Sequence, residues 1–263
     1  MFENLKNKIR ILINKLKIKN LENKKGRKLA ISIENILTIG AFKNLNGIPT
    51  KKKVYQMLNL KCSYKTLVVN LNKFSFLVLI ILQKLLIINR EKSHIVKHTD
   101  STDIPVCLNK NAKNHKTMKG MAKWKKTGKG SFYGLKLHIT TDLKRNLLSF
   151  KFTSGNVDDR EVFLNLNKDL NGIFIADAGY ISEKLAKDFY IENERILIAK
   201  PRSNMKKLAT EFENILYDTR MLIELNFRSL KMFYGLISSL PRSIDGYLSN
   251  YLYSIFAYQL SKI

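Results

Sequence analysis

The sequence predicts an α/β fold in which a mixed sheet is flanked by helices, with a small, mostly helical region ahead of it. Apolar residues recur at helical spacing before residue 90, whereas strand and helix patterns alternate after it. The segments 132–140 and 147–153 alternate with a period of two, which indicates a hairpin. The segment 172–177 is almost entirely apolar, which is typical of a strand covered on both faces.

The N-terminal part of the chain, residues 1–90, is predicted to be helical and basic. Its predicted elements are a basic amphipathic helix with a Lys-rich connector (1–29, the connector with Lys24, Lys25, Arg27 and Lys28), a helix (31–42), a break at Gly47 and Pro49, a helix from Thr50, and further helix (64–90). A helix–turn–helix and any other small helical module would both give this pattern. A polar stretch at 89–93 separates this region from a second domain, residues 91–263.

The second domain is predicted to contain strands and helices in alternation. Its elements in chain order are a strand (94–100), a long Lys-rich loop (107–131), a hairpin (132–140 and 147–153), a helix capped by Asn156 and Asp159 (156–170), a strand (172–177), a helix (181–192), a strand (195–199) and a mainly helical segment (205–238). This order indicates one mixed sheet with helices packed against it.

The charge balance indicates a polyanionic partner. Lys and Arg number 47 against 21 Asp and Glu, which gives a formal net charge of +26. Such an imbalance does not help a chain to fold, but it attracts a polyanion and releases the counterions condensed on it. Nucleic acid is the first candidate and an anionic membrane surface the second. Part of the excess is also explained if an AT-rich genome enriches the chain in Lys, Asn and Ile.

Cysteine use and hydropathy exclude several classes of protein. Cys62 and Cys107 are far apart and outside any metal-ligand spacing, which argues against a disulfide scaffold or a zinc site and is typical of a reducing cytoplasm. The first residues carry scattered charges, so a secretory signal is not expected. The apolar segment 74–88 is too short to span a bilayer without including charged or amide side chains, and a buried helix is predicted there. No membrane partner is therefore expected.

Four polar residues mark the predicted C-terminal helical segment. Tyr217, Arg220, Glu224 and Lys231 lie within one stripe if the segment is a continuous helix, beside an apolar stripe that must be buried. This would place a carboxylate, two cations and a phenol at the edge of a core. The alternative is an ordinary amphipathic helix with an exposed Arg–Glu pair four residues apart.

The same four residues match the Tyr-x2-Arg-x3-Glu-x6-Lys signature, and the chain resembles the DDE-type bacterial insertion-sequence transposases that carry it. The segments that resemble that family are Asp100-Ser101-Thr102, the stretch from Thr153 to Arg160, Ala176-Asp177-Ala178-Gly179-Tyr180, and Pro241-Arg242-Ser243 with the apolar helix that follows it. The resemblance covers residues 94–263 well and 27–90 loosely. It implies a ribonuclease-H-like fold for the second domain.

The resemblance also implies a reaction and a set of site residues. Asp100, Asp177 and Glu224 would be the catalytic acids and would hold two Mg²⁺ ions, for which Mn²⁺ can substitute. Arg220 and Lys231 would contact DNA phosphate, and Tyr217 would bind phosphate or orient Glu224. The enzyme would hydrolyse phosphodiester bonds at the element ends and then join the freed 3′-hydroxyl to target DNA.

The implied partner is double-stranded DNA, both the terminal inverted repeats of the element and the target. Two element ends must be cut together, so a homodimer or a larger assembly is expected in the DNA complex. The N-terminal region, residues 1–90, would bind the element end. The implied location is the bacterial cytoplasm, in association with the nucleoid.

The Lys-rich loop 107–131 is a second candidate DNA contact, because it follows the strand that carries Asp100. Its lysines alternate with small residues, and Trp124 can stack on a base or a sugar. The candidate contacts are Lys119, Lys123, Trp124 and Lys126, within a wider set of Lys110, Lys113, Lys116, Lys125 and Lys129. The alternative is a solvated loop that does not touch DNA.

Other acids and histidines compete for the metal-ligand role. Asp103 would face away from Asp100 on a strand, and Asp158 and Asp159 stand where a helix start favours acids. His98 would share a strand face with Asp100, but a structural histidine is the preferred interpretation. His115 and His138 show no ligand spacing.

Two other functions remain open at this point. One is a ribonuclease-H-like nuclease that cuts and does not join strands. The other is a decayed or repurposed copy that only binds DNA. The presence of all three acids argues against the second.

Overall fold

The computed structural model describes residues 1–18, 28–128, 130–199, 210–237 and 241–263. Lys24, Lys25, Arg27, Lys129 and the predicted helical residues 205–209 lie outside this part of the chain. The chain forms two compact units, one of Met1–Leu85 with Arg228–Ile263 and one of Leu86–Phe227. We call them the helical unit and the sheet unit. The helical unit thus includes a C-terminal segment that the predicted division at residue 90 assigns to the second domain.

The helical unit contains the N-terminal helices that the sequence predicts. Their bounds are α1 (Phe2–Lys15), α2 (Ile33–Leu45), α3 (Lys51–Met57), α4 (Tyr64–Lys73) and α5 (Ser75–Glu91), the last of which continues into the sheet unit. The helix predicted to begin near Thr50 does so, because the Thr50 Oγ1 accepts the Lys53 backbone N–H at 3.1 Å and caps α3.

The C-terminal helix of the chain packs into the same unit. This helix, α10 (Ile244–Leu260), begins at the cap Ser243 and is buried along most of its length. It crosses α2 so closely that a Cβ on Gly40 would lie 2.2 Å from the Tyr253 ring. Two helices that are buried on nearly all sides therefore form the centre of the helical unit.

The segment Tyr64–Glu91 is long and apolar enough to cross a membrane when judged by length and composition alone. Half of its most apolar stretch is buried inside the protein. The core helix of a soluble protein has the same length and composition, so this segment does not define a membrane protein.

Lys43 is a buried charge of the helical unit that forms no ion pair with the acids the structure describes. Its ammonium is buried in the last turn of α2, and its hydrogen-bond acceptor is the neutral Asn44 Oδ1, at 2.9 Å. Burial, with a smaller contribution from the nearby Lys51 charge, lowers the pKa of Lys43 to about 8. The charged form of this side chain therefore destabilises the fold at neutral pH.

Replacing Lys43 by Met is expected to raise the free energy of unfolding by about 2 kcal/mol at neutral pH. The pKa of Lys43 is lower in the folded protein than in the unfolded protein. Lys43 therefore costs no stability above the unfolded pKa, and the stability of the fold decreases as the pH falls towards 8. The gain from Met should therefore shrink as the pH is raised towards 10. Denaturant unfolding of both proteins across this range measures it, with the exposed Lys53→Met as the control. A gain that does not change with pH would contradict this explanation.

The sheet unit contains one six-stranded mixed sheet. Its strands are β1 (Val96–Pro105), β2 (Lys123–Thr127), β3 (Gly130–Asp142), β4 (Leu147–Ser154), β5 (Ile173–Ala176) and β6 (Ile196–Ala199). The order is β2-β3-β1-β5-β6, with β4 also paired to β3. Strand β3 runs antiparallel to β1, β2 and β4, whereas β5 runs parallel to β1 and β6. This arrangement confirms the predicted mixed sheet and places the strand of Asp100 beside the strand that precedes Asp177.

Helices cover this sheet. Their bounds are α6 (Asp159–Asn167), α7 (Glu183–Asn193), α8 (Glu211–Asp218) and α9 (Met221–Met232), of which α9 continues into the helical unit. The aromatic side chains of Phe163, Phe174 and Phe189 meet edge to face between α6, β5 and α7, with centroids as close as 4.9 Å. This cluster fixes α6 and α7 against the strand that leads into Asp177.

Gly134 is required by the close approach of two central strands. It lies on β3 opposite Pro105 of β1, and a Cβ at this position would be 2.1 Å from the Ile104 carbonyl oxygen. Any larger residue would force apart the strand pair that carries Asp100.

Three predictions of local structure are corrected. The loop 107–131 is not continuous, because Lys123–Thr127 forms β2 and Asn109–Asn114 a 3-10 turn. Helix α6 is capped by Asp158, whose carboxylate accepts the Arg160 N–H at 2.9 Å, rather than by Asn156 or Asp159. The mainly helical C-terminal segment is interrupted, since α8 ends at Asp218 and α9 begins at Met221.

Candidate active site

Asp100, Asp177 and Glu224 lie close together in the sheet unit. Asp100 is in the middle of β1 and Asp177 directly follows β5. The parallel register pairs His98 with Ile175, so both acids stand two residues beyond the same level of the sheet. Glu224 is in the first turn of α9. The sheet register thus brings together two acids that are far apart in the sequence.

One guanidinium contacts all three carboxylates. Arg220 Nη2 lies 3.0 Å from Asp100 Oδ2 and 3.8 Å from Asp177 Oδ2, and Arg220 Nη1 lies 2.7 Å from Glu224 Oε1. The Asp100 side chain is 15% exposed, against 49% for Asp177 and 60% for Glu224. Asp100 is therefore the most buried of the three acids, while Asp177 and Glu224 are open to solvent.

A break between two helices directs Arg220 towards the acids. The backbone N–H groups of Thr219 and Arg220 bond to carbonyls three residues back, which forms a tight turn between α8 and α9. The predicted single stripe is thus corrected: Tyr217 lies in the last turn of α8, Arg220 lies in the turn between the helices, and Glu224 is on α9. From this turn the Arg220 guanidinium reaches Asp100, and their hydrogen bond stabilises the break.

His98 supports this turn from the neighbouring strand. Its Nε2 lies 2.7 Å from Thr219 Oγ1, and the Thr219 hydroxyl donates to the Leu216 carbonyl at 2.6 Å. Because the hydroxyl has one proton to donate, the His98 Nε2–H must be the donor of the first bond. Burial lowers the pKa of His98 to about 4, so the ring is neutral at neutral pH. The predicted structural interpretation of His98 fits these contacts.

Burial raises the pKa of Asp100 to about 7. The Arg220 guanidinium and the Ser101 backbone N–H oppose this rise, while the charges of Asp177 and Asp159 add to it. A carboxylic acid in this range exchanges its proton near neutral pH, and a bound cation would favour the ionised form. Binding of a cation at Asp100 would therefore release a proton from the fraction that is protonated near neutral pH.

The donor set fits a divalent metal with hard oxygen ligands. Three carboxylates converge on one point, and such oxygens are the ligands that Mg²⁺ and Mn²⁺ accept. Across the described ranges, however, no group of three Asp, Glu, His or Cys side chains is already arranged to hold an ion. In this arrangement the Arg220 guanidinium supplies the positive charge between the acids. Metal ions would have to replace it.

The competing acids are engaged elsewhere. Asp103 lies on β1, three residues beyond Asp100, and is paired with Lys136 of β3. Asp158 caps α6, and its hydrogen bonds with Arg160 lower its pKa to about 2. Asp159 forms an ion pair with the buried Lys136 at 2.8 Å.

Asp159 is nevertheless near enough to raise the pKa of Asp100. The sequence predicted only a helix-start acid at this position. Asp159 lies near the acid cluster because α6 packs over β3 and β1. No local sequence motif predicts this packing. Asp159 is thus part of the electrostatic surroundings of the site.

The predicted DNA-contacting residues of the sheet unit lie on accessible surface. Lys119 is exposed in the turn before β2, and Lys123 and Lys126 are exposed on β2 itself. Trp124 is 47% exposed, and its ring lies 5.6 Å from that of Tyr133. Lys231 is on α9, in the part of the chain that belongs to the helical unit. Their roles, with those of Tyr217 and Arg220, stay predictions.

Replacing Arg220 by Gln is expected to lower the metal-free stability by about 2 kcal/mol, because three carboxylates lose their shared counter-charge. The gain in melting temperature on adding Mn²⁺ should increase, because an ion would no longer compete with the guanidinium. The matched control is Arg160→Gln, which breaks an exposed Arg–Asp pair outside the cluster and should cost less than about 1 kcal/mol. Melting curves with and without Mn²⁺ measure both effects. An unchanged Mn²⁺ response would contradict competition for the same carboxylates.

The fold and the cluster together define a class of enzyme. The sheet brings acids from two neighbouring parallel strands to an acid on a later helix. The family resemblance implies this arrangement for polynucleotidyl transferases that cut DNA. A family model described as the transposase DDE domain matches residues 90–243, more than half of the chain. The chain belongs to the DDE transposase domain family. The resemblance to DDE-type transposases is thereby confirmed, while the particular four-residue signature stays a prediction.

Comparison with solved structures finds chains in Mos1 crystal structures among its matches. The chain is similar to the protein in a crystal structure of the Mos1 mariner paired end complex with Mn, with 11% identity, 96% of this chain and 83% of that chain covered, and a TM-score of 0.28. It is also similar to a pre-cleavage Mos1 transpososome, with 11% identity, 95% and 83% covered, and a TM-score of 0.26. These TM-scores are too low to support an argument, so membership of the family rests on the family model. Comparison with curated proteins gave no significant match.

Proposed function

We propose that this protein is an insertion-sequence transposase that hydrolyses phosphodiester bonds at the ends of its element and transfers the freed 3′-hydroxyls into target DNA. One observation carries the proposal: the guanidinium of Arg220 contacts carboxylates from β1, from the end of β5 and from α9 at the same time. Structural ion pairs usually join two groups. Three acids drawn from separate elements to one partly open point are typical of a site built for cations.

Asp100, Asp177 and Glu224 would hold two Mg²⁺ ions, with Mn²⁺ as a substitute. When bound, such ions activate water and stabilise the leaving 3′-oxygen. Asp100 would give up its proton on binding, since a ligand must be ionised. The Ser101 and Ala178 backbone N–H groups keep the two aspartates oriented, with bonds of 2.8 and 2.7 Å.

Arg220, once released from the acids, would bind the scissile phosphate beside them. Its planar fork suits two phosphate oxygens, and the turn between α8 and α9 already directs it to this place. Tyr217 would bond to the same phosphate or orient Glu224. Burial raises the pKa of the Tyr217 phenol, so it stays protonated and can donate.

The DNA on either side of the scissile bond would lie along basic surface. In the sheet unit, the candidates are Lys119, Lys123, Lys126 and the ring of Trp124, and on α9 Lys231. Neutralising several phosphates releases counterions, which the formal charge of +26 favours. The expected substrates are the terminal inverted repeats and target DNA, bound by a homodimer or a larger assembly in the bacterial nucleoid.

A strand-transfer assay tests the proposal. Inverted repeats in the DNA that flanks the gene supply the substrate ends, offered both uncut and already cut, with a supercoiled plasmid as target and Mg²⁺ or Mn²⁺. A transposase joins the pre-cut ends to the plasmid. Cutting of the uncut ends without any joining would identify a nuclease. Binding without either reaction would identify a DNA-binding copy.

A further inference from the structure

The helical unit contains a cavity of about 790 Å³ that is separate from the acid cluster described above. It lies between the start of α3, one side of α4 and the start of α10. Its cationic lining residues are Lys51, Lys52, Lys65 and Arg242, beside the apolar side chains of Val68 and Val69. Among the described residues that line it there is no Asp or Glu. We call this cavity the basic pocket.

Lys51 is held at the wall of the basic pocket without a carboxylate. Its Nζ donates to the neutral Asn72 Oδ1 at 2.8 Å, and burial lowers its pKa to about 8. The buried Lys43 lies near enough for the two charges to affect each other. Two partly desolvated ammonium groups are thus placed together, and neither forms an ion pair with a described acid. An anion in the pocket would stabilise this arrangement.

The other three cations at the pocket form no ion pair in the part of the chain that the structure describes. Lys52, Lys65 and Arg242 are all exposed and make no salt bridge there. The same unit contains acids, and Arg10 pairs with Glu34 at 2.9 Å. Neither Glu34 nor Asp245, which stands between the lining residues Ser243 and Gly246 in the sequence, lines the cavity. Among the described residues, the lining of the basic pocket therefore carries four cations and no acid.

We propose that the basic pocket binds the phosphate backbone of double-stranded DNA, as a second DNA contact outside the catalytic site. Arg242 can offer a two-pronged contact to a phosphate, and the lysines can offer point charges to the same or the neighbouring phosphate. The walls formed by Val68, Val69 and Tyr64 suit the apolar face of a sugar. The Pro241-Arg242-Ser243 segment, which the acid cluster leaves without a role, supplies one side of this contact.

The choice of DNA as the occupant rests on the proposed function, but the contact itself does not require catalysis. Phosphate chemistry is shared by DNA and by free inorganic phosphate. A backbone ligand differs in that several phosphates bind at once, so it should bind more tightly and with a steeper dependence on salt. Both properties can be measured without metal, so cleavage is not involved.

The first experiment compares two triple variants of the full-length protein in metal-free buffer. One is Lys52→Gln, Lys65→Gln, Arg242→Gln. The matched control is Lys8→Gln, Lys53→Gln, Lys61→Gln, which removes the same charge from exposed positions of the same unit that do not line the pocket. Fluorescence anisotropy with a short labelled duplex, measured over a range of salt, gives the affinity and the salt slope.

The pocket variant should bind DNA about tenfold more weakly, and its salt slope should fall by about 2, because each lost phosphate contact contributes nearly one unit. The control should change affinity by less than about threefold. Equal effects of the two triple variants would overturn the proposal, because net charge alone would then explain them. Melting curves verify that both variants fold.

The second experiment is lysine acylation read by mass spectrometry. Lys51 should react readily near pH 8, and bound duplex should protect Lys51, Lys52 and Lys65 while Lys53 and Lys61 react as before. Inorganic phosphate at the same phosphate concentration is the comparison. Equal protection by both would identify a small-anion site and overturn DNA as the occupant, as would no protection by DNA. Loss of strand transfer with protection intact would instead refute only the proposed catalysis.

Discussion

Asp100→Asn is expected to reduce metal-dependent DNA cleavage by about a thousandfold or more. The amide keeps the shape of the side chain but loses the charge that holds a cation, and metal ions contribute several kcal/mol to such reactions. Asp177→Asn and Glu224→Gln should have effects of the same kind. DNA affinity should persist in all three, because removing a negative charge does not weaken attraction to phosphate. Nicking of an end-containing plasmid, with anisotropy for binding, measures both quantities.

Two aspartates provide matched controls for this result. Asp103→Asn changes an acid on the same strand that stands three residues away, opposite Lys136. Asp158→Asn changes an acid that caps α6 and pairs with Arg160. Both variants should cut DNA near the wild-type rate. A dead Asp103→Asn protein together with an active Asp100→Asn protein would show that the acids are wrongly assigned along β1.

Gly134→Ala is expected to destabilise the sheet unit by about 3 kcal/mol or more, a large fraction of the stability of a typical domain. The new Cβ would lie 2.1 Å from the Ile104 carbonyl oxygen and 3.0 Å from the Pro105 Cα. Both contacts are with backbone, which cannot move aside as a flexible side chain can. Circular dichroism melting and the yield of soluble protein measure the loss.

The control for this substitution is Gly128→Ala, at an exposed position with no atom within 4 Å of the added Cβ. It should melt within a degree or two of the wild type, since it adds no contact and slightly restricts the unfolded chain. Equal behaviour of the two variants would mean that β1 and β3 are not as close as the structure has them.

The sequence predicted the regular elements well where hydrophobic periodicity was strong. The hairpin of β3 and β4 and the buried strand β5 follow directly from it. Strand β2 was missed because Lys123–Thr127 has no apolar alternation: it is an exposed strand whose stability comes from backbone pairing with β3. The pattern of apolar residues within a segment does not predict a strand that is formed mainly by backbone pairing with another part of the chain.

The candidate site was only partly predictable for a related reason. The resemblance indicated the three acids, and the register of β1 with β5 explains why the two aspartates converge. It did not indicate that Arg220 would contact all of them, because the break at Thr219 contains neither Gly nor Pro. That break is stabilised by the contact with His98, which is remote in the sequence. The position of Asp159 beside Asp100 likewise depends on helix packing.

Strand β2 also bears on self-association. It stands at one end of the strand order, and strands in this position can pair with a second copy of the chain and begin aggregation. The ammonium groups of Lys123, Lys125 and Lys126 would repel such a copy. The side chains proposed to attract DNA would thus also keep the protein soluble. Threonine or valine at these positions would remove both the attraction to DNA and the repulsion between copies. Glutamate would turn the attraction to DNA into repulsion and would still keep two copies apart.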